Sequence, residues 1–255
     1  RLVLARELQF SEIKAIKAAL PYDIELEAFI HGSMCVSYSG RCLLANVMTD
    51  GRDGNRGTCS QPCRWNYTIY EEKRPHFPIP VEQTELGTFF LSSRDMCMIE
   101  HIPELMESGI DSFKIEGRMR SPEYVALTVS MYRKYMDEYM AKGSYELSEE
   151  DHSDLLQIFN RNGFTEGYLN ADPGDGLMSG DSSKNTGIPA GKIVKDSNGP
   201  YAILKPKQEI IMHDVLEIAG DEETSFKVTY IEDLSDSTIK VGDIKKPVIK
   251  GQQVS

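Results

Sequence analysis

Residues 27–65 read EAFIHGSMCVSYSGRCLLANVMTDGRDGNRGTCSQPCRW and contain four of the five cysteines of the chain. Six residues separate Cys35 from Cys42, three separate Cys59 from Cys63, and a glycine-rich loop of sixteen residues joins the two pairs. Such spacing is typical of a metal or cluster site, because a short loop holds two thiolates close together at little entropic cost. We therefore expect the rest of the chain to be the scaffold for this stretch.

The spacing alone leaves the occupant of the site open. Structural zinc sites favour pairs with about two to four intervening residues, which suits Cys59 and Cys63 but not Cys35 and Cys42. The wider first loop favours a larger, cube-shaped iron–sulfur cluster. Buried free thiols are a further interpretation, since cysteine is among the most buried residue types. Disulfides agree less well with five cysteines in 255 residues and no visible secretory segment.

Three strings carry a resemblance to a known family: EAFIHGSMCVSYSGRCLLA, GTCSQPCRW and, later, FKIEGRMRSPEYV. They resemble the collagenase-like peptidase family of unassigned catalytic type, a U-type peptidase family, and the resemblance runs from about Arg1 to the C-terminus. The sequence is similar to a branch of this family that is implicated in oxygen-independent hydroxylation. Its substrates are a tRNA wobble uridine, converted to 5-hydroxyuridine in a prephenate-dependent reaction, a ribosomal RNA cytidine, or a ubiquinone precursor.

The resemblance implies a [4Fe-4S] cluster, with zinc as the alternative, on four ligands: Cys35, Cys42, Cys59 and Cys63. Cys97 is a reserve ligand, because some members take the fourth ligand from further along the chain. We expect charged residues around the cluster to position tRNA or a small anionic donor such as prephenate: His31, Arg41, Glu116 and Arg118. An arginine at a strand end can hold a carboxylate or phosphate with two hydrogen bonds, although a surface ion pair of little consequence is the alternative.

The hydrophobic pattern predicts strand, helix, strand around these residues. The pattern predicts a buried strand at Leu2–Ala5 and a helix capped by Ser11. It also predicts a second strand at residues 24–30 that ends at His31. This is the repeat of a parallel α/β fold, in which active sites lie at the C-terminal ends of strands. Because family members resemble a (β/α)₈ barrel here, we expect residues 1–143 to be the later part of a parallel TIM-type barrel carrying the cysteine site.

Further elements of this part follow from caps and periodicity. Ser92 or Ser93 predicts the cap of a helix that carries Cys97, and a second short helix begins near Pro103. The remaining predictions are a strand at Asn66–Tyr70, a barrel-type strand at Ile110–Ile115, and a helix from Pro122 to about Lys142, capped by Ser121, with Val125, Val129, Tyr132 and Met136 on its buried face.

The hydrophobic period changes along the last third of the chain. Residues 144–185 predict a connector with one capped helix, Ser148–Phe159, and a turn-rich loop. From residue 186 onward, short alternating segments separated by Gly, Asp or Pro predict a small all-β barrel at 186–255 without catalytic residues. Four lysines near its end, Lys240, Lys245, Lys246 and Lys250, indicate either an RNA contact or ordinary solubility.

Composition narrows the class of protein. The chain has 28 basic and 40 acidic residues, a net charge of −12, which argues against nonspecific coating of nucleic acid. No apolar run approaches the roughly 18 residues of a membrane span, and no signal peptide is visible, so we expect a cytoplasmic protein without membrane partners.

The chain begins at Arg1 inside an apolar run. We therefore expect the C-terminal part of a longer protein, whose barrel is completed by an N-terminal half or a homologous subunit.

Three functional hypotheses compete at this point. The first is iron–sulfur-dependent hydroxylation of RNA, the second a peptidase that uses Cys35 with His31 or a metal, and the third a noncatalytic, zinc-stabilised RNA-binding module. HExxH, P-loop and GxGxxG motifs are absent, which leaves the peptidase hypothesis without a recognisable metal base. The four thiols and the resemblance favour the first hypothesis. They do not decide between tRNA, rRNA, a quinone precursor or a peptide as substrate.

Overall fold

The computed structural model describes residues 1–65, 67, 69–70, 72–74, 76, 78–79, 89–180, 183–219 and 224–255. It divides into two compact units, Arg1–Thr186 and Gly187–Ser255. Within these described ranges, no helix is both long enough and apolar enough to cross a membrane.

The first unit mixes helices and strands. Its helices are α1 (Phe10–Ala19), α2 (Leu44–Met48), α3 (Ile102–Glu107), α4 (Pro122–Lys142) and α5 (Glu149–Ile158). Its strands are β1 (Leu2–Val3), β2 (Leu26–Ser33), β3 (Ile69–Tyr70), β4 (Pro78–Ile79), β5 (Phe89–Ser93), β6 (Asp95–Cys97), β7 (Ser112–Ile115), β8 (Phe164–Thr165) and β9 (Met178–Gly180).

Strand β2 organises the main sheet of this unit. It pairs in parallel with β1 and with β7, and its last residues pair antiparallel with β6, which in turn pairs in parallel with β8. The parallel pairings are those that a β/α repeat produces, whereas β6 makes the sheet mixed. A complete parallel barrel stays a prediction.

The start of the chain differs from the prediction in two ways. Leu2 and Val3 are 46% and 60% exposed rather than buried, because β2 is the only strand paired with β1 among the described residues. Helix α1 begins at Phe10, before the predicted Ser11 cap. Its first turn is closed by Glu12, whose carboxylate accepts a hydrogen bond from the backbone N–H of Gln9 at 2.9 Å.

The predicted helix at Ser92 or Ser93 is wrong. Residues 89–93 and 95–97 form strands β5 and β6, and Cys97 lies opposite His31 in the sheet. Backbone pairing with the end of β2 outweighs the local cap pattern, since it satisfies buried N–H and C=O groups on both strands. The short helix at Pro103 is confirmed as α3.

Helix α4 confirms the predicted ends and part of the predicted buried face. Ser121 accepts a hydrogen bond from the N–H of Tyr124 at 3.3 Å, and Gly143 ends the helix in the left-handed region at φ 72°. Of the predicted buried face, Tyr132 is buried and Met136 is partly buried against the core, whereas Val125 and Val129 are exposed. The other buried residues of the helix are Tyr124, Thr128, Met131 and Tyr135. Two of the tyrosines reach partners inside the core, since the Tyr132 hydroxyl donates to the carbonyl of Ile30 at 3.1 Å and the Tyr135 hydroxyl donates to the carboxylate of Asp151. Helix α5 confirms the predicted Ser148 cap.

The second unit is an antiparallel sheet. Its strands are β10 (Gly191–Lys195), β11 (Tyr201–Pro206), β12 (Val215–Ile218), β13 (Thr224–Lys227), β14 (Tyr230–Asp233), β15 (Ile239–Gly242) and β16 (Gln253–Val254). The order in the sheet is β13-β12-β16-β10-β11-β15-β14. Alternate residues such as Ile193, Leu204 and Val241 point into a separate apolar core.

Candidate functional site: a cavity lined by four cysteines

The four predicted cysteine ligands lie around one cavity. Cys35 follows the end of β2, Cys42 lies just before α2, and Cys59 and Cys63 belong to the turns that come next. All four thiols are free and half-buried, and they line a cavity of about 480 Å³. Two loops separated in sequence therefore bring their sulfurs to the same space, at the C-terminal ends of β2 and β7.

The loop that carries Cys59 and Cys63 is held by local hydrogen bonds. Asp53 accepts a hydrogen bond from the N–H of Asn55 at 2.8 Å, and Gly57 adopts φ 77°, a left-handed turn that suits glycine. The backbone N–H of Gln61 donates to Cys59 Sγ at 3.3 Å. A donor at this position stabilises negative charge on the sulfur, as expected for a thiolate ligand.

Arg64 ties the second cysteine pair to the first. Its Nη2 donates to the carbonyl of Met34, the residue before Cys35, at 2.8 Å. Its Nη1 donates to the carbonyl of Ser93 at 3.0 Å. Because Arg64 is buried and directly follows Cys63, these bonds fix the positions of Cys63 and Cys35 relative to each other.

Arg118 holds the opposite side of the same loop. Its Nη1 donates to the carbonyl of Gly57, and its Nη2 donates to the carbonyl of Cys59 at 2.8 Å. The guanidinium predicted to grip a substrate therefore already binds carbonyl groups of the protein. Arg118 is a positioning residue for the Cys59 turn.

Glu116 lines the cavity at a point where two segments approach closely. Its N–H donates to the carbonyl of His31 at 2.9 Å, and its carboxylate accepts from the N–H of Arg118 at 3.0 Å. Gly32 makes this approach possible, because a Cβ built on it would lie 2.8 Å from the Glu116 carbonyl oxygen. Its φ of 113° also disfavours any other residue.

His31 and Arg41 do not line the cavity. A register shift between Phe29 and His31 turns His31 into the core, where its ring lies against those of Tyr124, Tyr132 and Phe164. Burial, assisted by the positive charge of Arg120, lowers the pKa of His31 to about 3, so the imidazole is neutral near pH 7. No hydrogen bond joins His31 to Cys35 among the described residues. Arg41 is exposed on the turn before Cys42.

Cys97 lies apart from the other cysteines. It is buried on β6 and faces a different cavity, lined also by Glu100 and His152. Burial raises the pKa of its thiol to about 12, which keeps it protonated. The reserve ligand is thus a core residue in this structure.

Cations surround the cysteine cavity, and sequence reasoning missed most of them. Arg6, Arg64 and Lys114 line it together with Arg118, and Glu116 is the acidic residue of the lining. Lys114 could have been recognised as the polar residue of the strand SFKI, and Arg64 by its position directly after Cys63. Positive charge around the cavity favours anionic ligands.

A buried charge cluster lies behind the cavity wall. Asp95, 1% exposed, accepts hydrogen bonds from Arg120 at 3.0 Å and from Arg161 at 2.9 Å, and Ser33 bonds to all three side chains. Burial lowers the pKa of Arg161 to about 10, although Asp95 opposes this effect. The cluster fixes Ser33, which also lines the cavity.

The donor set fits a four-iron cluster, because four thiol side chains line one cavity. Burial raises the pKa of the Cys63 thiol, and the adjacent charge of Arg64 opposes the rise. Among the described residues, no group of three or more His, Cys, Asp or Glu side chains is arranged to hold one metal ion. A cubic cluster takes one thiolate at each iron, so it needs four cysteines at one site, and these four line the same cavity.

Comparison with known proteins identifies the family. The model of peptidase family U32 matches residues 1–179, and the chain therefore belongs to this family. The resemblance inferred from the cysteine motifs is confirmed. No solved structure matches the chain significantly.

Curated relatives carry more than one name. A tRNA hydroxylation protein P1 of Bacillus subtilis (strain 168) is 39% identical over 233 residues, covering 90% of this chain and 54% of the relative. A 23S rRNA 5-hydroxycytidine C2501 synthase of Escherichia coli (strain K12) is 34% identical, covering 76% of this chain and 29% of the relative. A collagenase of Porphyromonas gingivalis (strain ATCC BAA-308 / W83) is 33% identical, covering 65% and 41%. The chain spans about half the length of the first of these relatives.

Proposed function

We propose that the protein acts in iron–sulfur-dependent, oxygen-independent hydroxylation of RNA, with a tRNA wobble uridine converted to 5-hydroxyuridine. The observation that carries the proposal is the convergence of Cys35, Cys42, Cys59 and Cys63 on one cavity rimmed by cations. Relatives named as tRNA hydroxylation proteins and as an rRNA 5-hydroxycytidine synthase support RNA as the substrate class.

The four cysteines would hold a [4Fe-4S] cluster. When bound, such a cluster supplies electron transfer at a potential set by its hydrogen bonds and burial. The chain contributes the Gln61 N–H bond to Cys59, and the Arg64 and Arg118 bonds that hold the two loops. These contacts order the ligand sulfurs before any substrate binds.

Cations of the lining would bind an anionic donor such as prephenate. Arg118 is already bonded to backbone carbonyls. Arg6, together with Lys114, which has an exposed side chain that contacts Glu27 at 3.5 Å, would therefore receive the carboxylate groups. His31 and Arg41, which do not line the cavity, have no part in this proposal. Glu116 limits the positive charge and orients the backbone at Arg118.

A deletion strain tests the proposal directly. Nucleosides from its tRNA should contain less 5-hydroxyuridine by mass spectrometry, the natural gene should restore the level, and Cys59→Ala should not. Cys97→Ala is the matched control, because it removes a cysteine that does not line the cavity. Unchanged 5-hydroxyuridine in a strain without a second homologue would contradict the proposal.

Anaerobic purification tests the cofactor independently. The hydroxylase proposal expects a brown protein with iron and sulfide in about equal amounts, lost in Cys59→Ala and kept in Cys97→Ala. Zinc without sulfide would favour a zinc-stabilised RNA-binding module.

The relative named as a collagenase keeps a peptidase as the second candidate function. Gelatin cleavage that survives removal of iron would make it the first.

A further inference from the structure

One outer face of the second unit combines lysines with exposed tyrosines. Antiparallel pairing of β10, β11, β15 and β14 aligns their outward residues in rows, since directly paired residues point to the same side of a sheet. We name this surface the basic–aromatic face, and its residues are Lys192, Lys195, Lys205, Lys240, Tyr201 and Tyr230.

Strand register brings the lysines together. Lys192 pairs with Lys205, and Ile203 pairs with Lys195 on one side and with Lys240 on the other. Lys192, Lys195 and Lys205 are exposed, and Lys240 is half-buried. The acidic residues beside them are Glu232, paired with Lys240, and Asp196, which follows β10. The face is therefore positive, although the chain has a net charge of −12.

The two tyrosines meet across a glycine. Tyr201 and Tyr230 both pair with Gly242, and their ring centroids lie 5.1 Å apart. A Cβ at Gly242 would lie 2.7 Å from the Tyr201 ring, so only glycine lets the rings close over β15. Tyr201 and Tyr230 are 40% and 37% exposed as residues.

Lys240 links the aromatic pair to the charged row. Its Nζ lies 4.7 Å from the centroid of the Tyr201 ring and 5.4 Å from that of Tyr230, and it also contacts Glu232 at 3.3 Å. Tyr230 donates its hydroxyl hydrogen to the same carboxylate at 2.6 Å. These contacts hold both rings in place, and both residues remain partly exposed. A cavity of about 200 Å³ lies beside them, lined by Tyr201, Ile203 and Lys195 among others.

We propose that the basic–aromatic face binds single-stranded RNA, with unpaired bases stacked on Tyr201 and Tyr230 and phosphates held by the surrounding lysines. Aromatic side chains on a sheet within a positive surface are the combination that unpaired nucleotides require, because every base offers a stacking surface and every nucleotide a charge. The proposal deepens the proposed function by assigning RNA binding to a surface distinct from the cysteine cavity.

Fluorescence anisotropy with a labelled single-stranded RNA and the whole chain tests the face. Tyr201→Ala and Tyr230→Ala should each weaken binding by about five-fold to a hundred-fold, the range that loss of one stacked base produces. Tyr230→Phe keeps the ring and should bind nearly as the natural protein does. Unchanged affinity in both alanine variants would overturn the proposal.

Salt dependence tests the lysines separately. Replacing Lys192 and Lys205 with Gln should reduce the slope of log affinity against log salt by about 1.4, since each phosphate contact on a single strand contributes about 0.7. Lys227→Gln, an exposed lysine on β13 outside the face, is the matched control and should leave the slope unchanged. Equal slopes in all three proteins would contradict the assignment.

The outcome is separable from that of the hydroxylation experiment. Suppose that the protein hydroxylates tRNA but the basic–aromatic face does not bind RNA. The tyrosine variants then bind RNA normally and restore 5-hydroxyuridine in the deletion strain. If the face is correct and hydroxylation is not, the variants lose RNA affinity while tRNA 5-hydroxyuridine does not depend on the gene.

Discussion

Arg118 and Arg120 are two residues apart, yet they lie in opposite surroundings. Arg118 is exposed at the rim of the cysteine cavity and bonds to carbonyl groups of a surface loop. Arg120 has a side chain only 9% exposed and contacts the carboxylate of Asp95 behind the cavity wall. Arg118 therefore supports the cysteine loop, whereas Arg120 supports the core.

The difference between rim and interior follows from solvation. A buried arginine loses its hydration, so it needs a buried acceptor, and removal of that acceptor leaves an uncompensated charge. An exposed arginine exchanges protein contacts for water at little cost. We therefore expect changes in the interior to act on stability, and changes at the rim to act on the cysteine loop.

Asp95→Asn should have the largest effect, because it leaves Arg120 and Arg161 without their buried carboxylate. We expect the free energy of unfolding to fall by about 3–5 kcal/mol. Urea unfolding followed by the fluorescence of Trp65, the single tryptophan of the chain, reports on the first unit. The control is Asp137→Asn, which breaks an exposed ion pair with Arg133. It should change the free energy of unfolding by less than about 1 kcal/mol. Equal losses in both variants would contradict the distinction.

Arg64→Gln should come second. It removes the charged donors to the carbonyls of Met34 and Ser93, although the Ser93 hydroxyl still donates to Met34 at 2.6 Å. A loss of about 2–3 kcal/mol is expected for buried hydrogen bonds to a charged group. The same urea titration measures it. Because Arg64 also joins the two cysteine pairs, iron content after anaerobic reconstitution should fall with stability, and a stable variant with full iron would refute this role.

The sequence predicts some local features correctly, whereas the cap of α1 and the features that depend on tertiary pairing differ from the prediction. The caps of α4 and α5 were read correctly because a cap depends on neighbours within one turn, at Ser121 and Ser148. The strand at Asp95–Cys97 was missed because it depends on pairing with β2, a segment distant in the chain.

The same distinction holds for the site. Cysteine spacing identified the four lining thiols, whereas the inward turn of His31 depends on a register shift that no local pattern reveals. On the second unit, Lys245, Lys246 and Lys250 are neighbours of Lys240 in sequence, but strand register instead places Lys195 near it.

The burial of His31 should make the free energy of unfolding depend on pH. Its pKa is lowered to about 3 by burial and by Arg120, whereas an unfolded histidine titrates near about 6.5. The unfolded state therefore binds a proton first as pH falls, and the stabilising effect, complete above about pH 6.5, is lost between about 6.5 and 3. His31→Phe removes this loss. Between pH 7 and 5.5, natural protein should lose about 1 kcal/mol more than the variant in urea titrations, and parallel losses would contradict the buried, neutral imidazole.

Arg118→Ala should have the smallest effect on stability and a specific effect on one thiol. Its hydrogen bonds to the carbonyls of Gly57 and Cys59 are exposed, so we expect less than about 1 kcal/mol of destabilisation. Release of the turn should speed alkylation of Cys59 several-fold in cluster-free protein, as mapped by mass spectrometry, while Cys35 reacts as before.

Lys114→Ala is the matched control for the Arg118 variant, since it removes a cation of the same cavity that pairs with Glu27 at 3.5 Å instead of holding the loop. If the loss of positive charge alone governed thiol reactivity, both variants would slow alkylation of all four cysteines. If Arg118 acts through its carbonyl bonds, only its variant accelerates Cys59. Opposite signs at Cys59 in the two variants would thus separate a positioning arginine from a lysine that contributes only charge.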